Sequence, residues 1–197
     1  MRKALVVMAL AAIGSRAAAQ TTGTPIFMSP YRAFQRVEFG GSLSVPGAGY
    51  AVEGFYRWGQ KMYDFGIRGG FQDPGNGAET VFLAGVDFRT RVVDHSQDFP
   101  LDGAFTAGFG VNFGNGTSHA IVPIGVSLGR RVEIENSDVQ FVPYFQPVLA
   151  PSFGHGSDLL FGLGLGVDVT LTKRLELRVS GALGDFEGIG VSLAILR

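Results

Sequence analysis

The last forty residues constrain the fold most strongly, because large apolar side chains occupy alternate positions through three successive segments. The segments span residues 158–171, 175–184 and 188–197, and their remaining positions hold mainly Gly, Ala, Ser and Thr with a few charges. A period of two places successive side chains on opposite faces of a strand. The sequence therefore predicts three consecutive antiparallel strands, each with one apolar face and one face of small residues.

The small-residue face indicates which side of this sheet meets solvent. A soluble sheet usually presents Lys, Glu and Thr to water, whereas Gly, Ala and Ser are too small to solvate a surface well. Small residues with scattered charges suit the lumen of a narrow barrel whose apolar face meets lipid. We therefore predict a transmembrane barrel rather than a soluble sheet.

Residues 1–19 have the layout of a secretory signal peptide. Arg2 and Lys3 give a positive start, residues 4–14 are an apolar stretch, and three alanines end at Ala19. This order is typical of signal peptides cleaved after small residues. A membrane anchor is the alternative, but the apolar stretch is shorter than the ~20 residues of a spanning helix. We expect export and cleavage near Ala19.

Composition supports a membrane barrel. The chain has 46% hydrophobic and 17% charged residues and a mean hydropathy of +0.23, whereas soluble domains have about 25% charged residues. No later segment has 18 uninterrupted apolar residues. Only helices and closed barrels satisfy all backbone hydrogen bonds in lipid, so an exported chain of this kind fits the outer membrane of a Gram-negative-type bacterium.

Charge and cysteine content exclude several function classes. The net charge is −1, and it becomes −4 without residues 1–19, which carry three basic and no acidic residues. So mild a charge gives no reason to expect a nucleic-acid partner. The chain has no cysteine, which excludes disulfides and thiolate sites.

The mature chain divides into a lead-in and one barrel domain. Residues 20–35 show no sustained alternation and are predicted to be a periplasmic lead-in, with the barrel over residues 36–197. An even strand number puts both termini in the periplasm. Pro143 and Pro147 cannot donate to a ladder, so the seventh strand is expected to be bulged or only partly spanning, and eight strands is the alternative to ten. Pro123 raises the same question for the sixth strand. The ten strands are predicted over residues 36–44, 49–58, 61–71, 80–92, 103–113, 120–132, 139–152, 158–171, 175–184 and 188–197.

These features resemble a known family. The signal peptide, the Gly- and aromatic-rich alternation and the segment GLGLGVDVTLTKRLELRVSG are similar to small outer-membrane β-barrels of the OmpA/OmpX-like type, often described as an outer membrane protein beta-barrel domain. The resemblance implies an all-β, antiparallel up-and-down transmembrane β-barrel after an N-terminal signal peptide. It also implies insertion by the outer-membrane assembly machinery. The chain departs from the family in its short outer turns and its final Leu196-Arg197, where an aromatic residue is usual.

No catalytic or metal-binding set stands out. His95, His119 and His155 fall in predicted turns, the first at one end of the barrel and the others at the opposite end. His119 and His155 could approach each other, but two ligands make a poor metal site. A deacylase needs a Ser within hydrogen-bond reach of a His, and His95-Ser96 are adjacent without anything to orient them. We expect no enzyme activity, no metal and no cofactor.

Charged residues on the strands are the candidate functional set. Mixed charges in a narrow, low-dielectric bore should pair, since an unpaired buried charge costs several kcal/mol. One interpretation is a salt-bridged plug, and the other is a charged constriction that passes ions. The residues predicted to face the lumen are Glu38, Glu53, Arg57, Asp64, Arg68, Asp87, Arg89, Asp168, Glu176 and Arg178.

The sequence thus favours a monomeric outer-membrane barrel with a structural or surface-interaction role. Its expected partners are outer-membrane lipid, lipopolysaccharide and the assembly machinery. A narrow channel for ions or small solutes is the alternative function. A soluble, secreted, lipocalin-like barrel that binds an apolar ligand is a third, and it would reverse the two faces.

Overall fold

The computed structural model describes residues 21–31, 36–47, 49–114, 116–137, 139–154 and 156–197. The predicted signal peptide lies outside these residues. None of the described residues belongs to a helix that is long and apolar enough to cross a membrane. The strands are β1 (Val37–Val45), β2 (Tyr50–Gln60), β3 (Tyr63–Asp73), β4 (Val81–Val93), β5 (Asp102–Gly114), β6 (Thr117–Ile121), β7 (Ile124–Gly129), β8 (Val132–Glu133), β9 (Gln140–Phe153), β10 (Ser157–Thr172), β11 (Leu175–Gly184) and β12 (Gly188–Leu196).

The sheet closes on itself as an antiparallel up-and-down barrel. β12 pairs with β1, with Leu196 opposite Glu38 and Ile189 opposite Val45. β6 and β7 share one position between β5 and β9, and β8 continues that position alongside β9. The barrel therefore has ten strand positions. The prediction of ten strands is confirmed, with ends within a few residues of those expected, and the alternative of eight is wrong.

The two faces of the sheet have the predicted orientation. Along β12 the side chains alternate between exposed and buried, with Ile189, Val191, Leu193 and Ile195 exposed. Leu43 is 57%, Leu159 67% and Ile189 64% exposed. Ser192 and Ala194 of the same strand are buried inside. Most large apolar residues of the strands thus face outward, and the small and charged residues face the lumen.

Prolines on β9 explain why the sixth strand position is interrupted. Pro143, Pro147 and Pro151 are spaced by four, so their missing N–H groups all point to the same neighbouring strand. That neighbour is the sixth position, since the carbonyls of Pro143 and Pro151 accept hydrogen bonds from the backbone of Arg130 and Val122. We expected β9 to be bulged or only partly spanning. Instead β9 is continuous over 14 residues, and the strand opposite its missing donors is broken.

The turns lie alternately at the two ends of the barrel. We call the end that holds Val37 and Arg197 the terminal end, where these two residues exchange backbone hydrogen bonds of 3.2 and 2.8 Å. The opposite end, the far end, carries five turns, which connect β1 to β2, β3 to β4, β5 to β6, β9 to β10 and β11 to β12. The longest of them reverses the chain through three consecutive left-handed residues, Gly75, Asn76 and Gly77, as the Asp-Pro-Gly-Asn-Gly sequence predicts.

Candidate functional site

All ten charged residues selected from the sequence lie on the lumenal side of the barrel. Eight of them are buried, from Arg89 with no exposed surface to Arg57 and Asp87 at 6%. The side chains of the other two, Arg68 and Glu176, are 7% and 12% exposed. Strand alternation accounts for this placement, because each residue lies an even number of positions from the small lumenal residues of its strand and therefore on the same face.

Arg57 is the centre of the largest charge cluster. Its guanidinium lies 3.4 Å from Glu38 and also contacts Asp64 and Asp87. Asp64 bridges to Arg89, which donates to it through two nitrogens. The cluster draws on β1, β2, β3 and β4, so it ties four neighbouring strands together across the lumen.

Arg178 extends the cluster to the other side of the barrel seam. It donates to Glu38 at 2.6 Å, also contacts Glu176, and lies 3.8 Å from Asp168. Because Glu38 contacts both Arg57 and Arg178, the two clusters form one network. Glu53 and Arg68, 3.8 Å apart, form a separate pair.

The acids of this set outnumber its bases, and hydroxyl groups of the N-terminal segment compensate for part of the difference. The ten residues comprise six carboxylates and four guanidinium groups. Thr22 and Thr24 each donate to Glu53 at 2.6 Å. Ser29 donates to Asp168 at 2.5 Å. Hydrogen bonds to charged groups contribute about 1.5–3 kcal/mol each. These contacts therefore hold the N-terminal segment in the lumen and replace the water that the buried carboxylates have lost.

Residues 21–31, here called the lumenal segment, run inside the barrel. Residues 21–30 are all buried. Phe27 N–H donates to Ser180, and Met28 N–H donates to Gln146. The carbonyl of Ser29 accepts from Arg89. We expected residues 20–35 to be a periplasmic lead-in, and over residues 21–31 this location is corrected. The segment enters the bore because the bore offers partners for its backbone and a dry site for Ile26, Phe27 and Met28.

Glycines in the lumenal wall make room for the segment. A Cβ at Gly164 would overlap the ring of Phe27, and a Cβ at Gly110 would overlap the carbonyl of Thr21. The alternating glycines of β5 and β10 are therefore needed for close approach of the segment to the wall.

An apolar cluster fills the part of the lumen opposite the charges. Phe27 packs there with Tyr144, Val148 and Phe186. Phe186 lies in the far-end turn between β11 and β12. It has no exposed surface and occupies the space left by Gly162. Tyr144 donates from its hydroxyl to the Phe27 carbonyl at 3.1 Å. The far-end turn and the lumenal segment thus meet in one core.

Little space remains beside the ion network. A cavity of about 20 Å³ lies among Met28, Arg57, Asp87 and Ser192. A cavity of this size holds about one water molecule. Packing of the segment against the charged wall therefore leaves room for about one bound water molecule in this cavity.

The two histidines among the described residues, His95 and His119, lie at opposite ends of the barrel. His95, at the terminal end, bonds Asp102 through its backbone N–H at 2.9 Å and through Nδ1 at 2.8 Å. His119, at the far end, has its Nδ1 3.5 Å from Ser152 Oγ, which is long for a hydrogen bond. His155 lies outside the described residues. Among the described residues, no group of three or more His, Asp or Glu is arranged to hold a metal ion.

The lumenal segment and the aromatic core were not predicted from the sequence. Residues 21–31 lack a period of two, and Ile26-Phe27-Met28 between two prolines is too short to indicate a strand or helix. A signal was present on the barrel wall, where glycine occupies successive inward positions of β5 and β10. Protein interiors are close-packed, so a wall without side chains requires a filler from elsewhere in the chain.

Comparisons with known proteins give the following. No protein-family model matches the chain, and no curated protein matches it. Among solved structures, the chain is similar to one titled "De novo design of transmembrane beta-barrels". The two share 12% sequence identity with a TM-score of 0.39, over 83% of this chain and 96% of that chain.

Proposed function

We propose that this chain is a β-barrel of the bacterial outer membrane, of the OmpA/OmpX-like type, with a structural or surface-interaction role and without catalysis. Removal of residues 1–19 near Ala19 and insertion by the outer-membrane assembly machinery belong to this proposal. Outer-membrane lipid and lipopolysaccharide are its surroundings, and the protein acts as a monomer.

The outward face of the barrel carries the proposal. Large apolar side chains cover it on every long strand, and many are 40–67% exposed. Soluble monomers rarely expose contiguous apolar patches larger than a few hundred Å². A closed barrel with such a face is matched to hydrocarbon, because every strand position pairs with a neighbour on both sides and the sheet has no free edge.

Aromatic side chains near both ends support the same location. Tyr56, Trp58 and Phe65 lie next to each other on the outward face near the terminal end, with ring centroids 6.1 Å apart for each neighbouring pair. Phe82 and Phe113 stack at 6.0 Å near the far end. Aromatic girdles at the two interfaces are typical of transmembrane barrels.

The filled lumen supports a role without transport. The lumenal segment, the ion network and the aromatic core occupy the bore, so the channel alternative requires that the segment leave. Steady ohmic openings of the intact protein in planar bilayers would support the channel function instead.

Membrane fractionation tests the proposal. The full chain is expressed with its native N-terminus in a Gram-negative host, and heated and unheated samples of each fraction are compared on a gel. We expect the protein in the outer-membrane fraction with a mobility that shifts on boiling. A protein that is soluble without detergent and shows no shift would contradict the proposal and favour the secreted, lipocalin-like barrel.

A further inference from the structure

A second site opens at the terminal end of the barrel, apart from the ion network. It is a cavity of about 410 Å³ at the mouth of the lumen. Its wall includes the inward-facing Thr170 and Glu176 and the end of the lumenal segment, Tyr31. Small-molecule sites in proteins have volumes of about 300–1,000 Å³, so the cavity is large enough for a ligand of several heavy atoms.

Three cationic side chains line this cavity: Arg36, Arg131 and Lys173. Among the described residues, none of the three has a carboxylate within salt-bridge distance. The acid in the wall, Glu176, is already in contact with Arg178. The positive charge of the cavity is therefore not neutralised by the described part of the protein.

Two of the three cations are held in position. Arg36 Nη1 donates to the Lys173 carbonyl at 3.0 Å, which fixes the guanidinium beside the lysine. The Arg131 guanidinium lies over the ring of Tyr31, 4.7 Å from its centroid, in cation–π geometry. Side chains that are ordered before binding lose less entropy when a ligand arrives.

We propose that this cavity binds a phosphate-type oxyanion. Arginine and lysine offer hydrogen-bond donors and no acceptor. Guanidinium groups pair with phosphate through two parallel hydrogen bonds. The volume exceeds that of a single inorganic ion, so the cavity suits a diphosphate or a phosphate monoester best.

The ligand comes from the solution that faces the terminal end. The wall combines lumen-facing residues, such as Leu196, which is 7% exposed, with the exposed cations Arg36, Arg131 and Lys173 at the rim. The phosphate of a lipid headgroup has the same chemistry. To reach the cavity from the surrounding lipid, however, the headgroup would have to extend over the rim of the barrel.

Calorimetric titration of the folded full-length barrel in zwitterionic detergent, with pyrophosphate at constant ionic strength, tests the proposal. We expect one saturable site per barrel. Arg131→Gln and Lys173→Gln should each weaken binding about tenfold, because each removes a charge-assisted hydrogen bond.

Each variant has a control substitution at the adjacent residue in the sequence. Arg130 donates to the Pro100 carbonyl at 2.8 Å, and neither it nor Arg174 is part of the cavity wall. Arg130→Gln and Arg174→Gln remove the same charge from positions next to Arg131 and Lys173 and should leave the affinity unchanged. Heat-dependent gel mobility shows that every variant is folded.

Two results would overturn the proposal. One is the absence of saturable binding to the folded protein. The other is an equal loss of affinity in all four variants, which would show diffuse attraction to a basic rim.

Repeating the titration in phosphatidylcholine vesicles with and without phosphatidylglycerol identifies the source of the phosphate. Unchanged affinity supports a free anion, and competition by phosphatidylglycerol supports the same site occupied by a lipid phosphate.

Discussion

Arg57 shows how strongly one residue is constrained by the lumen. Its guanidinium contacts Glu38, Asp64 and Asp87, and its side chain is 7% exposed. Desolvation makes such an arrangement costly to form and more costly to break, because each carboxylate left behind has lost both water and its partner. Loss of one partner from the network is therefore expected to destabilise the barrel.

Replacing Arg57 tests the energy of this network. Arg57→Met keeps most of the side-chain volume but leaves three carboxylates without that guanidinium. We expect the free energy of unfolding to fall by about 3–5 kcal/mol, the usual cost of removing one partner of a buried pair. Urea titration in lipid vesicles, followed by the fluorescence of Trp58, the single tryptophan, measures it.

Arg174→Met is the matched control for Arg57→Met. Arg174 is exposed in the turn between β10 and β11, and changes at exposed sites usually alter stability by less than about 0.5 kcal/mol. A loss in Arg57→Met no larger than that in the control would mean that the lumenal ion pairs do not hold the barrel together.

Among the elements, the lumenal segment has the clearest separable role. It contributes no strand to the barrel, yet residues 21–30 are buried and it donates to Glu53, Asp168 and Ser180. Its removal would leave a bore lined by more acids than bases. Rings of Asp and Glu favour cations in membrane pores.

Deleting residues 21–31 should convert a closed barrel into a small cation-selective pore. We expect single-channel openings in planar bilayers from the deletion variant and no openings from the intact protein. In a salt gradient, the reversal potential of the variant should shift toward the equilibrium potential of the cation. Gly164→Leu should give a weaker form of the same effect, because its side chain occupies the position of Phe27.

Gly41→Leu is the control for Gly164→Leu. Gly41 faces outward, and an added Cβ there meets nothing nearer than 3.5 Å, so the intact protein's behaviour should persist. Folded deletion protein that stays silent would show that the segment is not what closes the bore.

The strands of the barrel could be predicted from the sequence, but the residues that fill its lumen could not. Alternation located ten strand positions because a sheet between lipid and lumen imposes a period of two on every strand. Pro123 lies in the gap between β6 and β7, as the sequence indicated. The contribution of Pro143, Pro147 and Pro151 on the neighbouring strand is revealed only by the register. The lumenal segment was missed because its burial depends on partners more than a hundred residues away, such as Gln146 and Ser180.

At the scale of the whole molecule, charge is distributed unequally between the two ends. The far-end turns and adjoining strand ends carry five acids and, among their described residues, no Lys or Arg. Most of the remaining bases outside the lumen lie at the terminal end. The five acids are Asp73, Glu79, Asp158, Asp185 and Glu187.

The proposed orientation puts the far end outside the cell and both chain ends in the periplasm. Since the chain has no cysteine, single cysteines at exposed positions report the two sides. Ala78→Cys should react with a membrane-impermeant maleimide in intact cells. Arg174→Cys should react only after the outer membrane is made permeable. The reverse pattern would mean that the barrel is inserted the other way round.

The central claim is that the apolar outward face of this barrel meets lipid, and Trp58 offers the most direct test. Trp58 lies on that face and is 37% exposed. The unmodified protein is folded into vesicles of ordinary or brominated phosphatidylcholine, and its tryptophan emission is compared. We predict strong quenching by the brominated acyl chains. Emission that is the same in both lipids, from protein shown to be folded, would contradict the account.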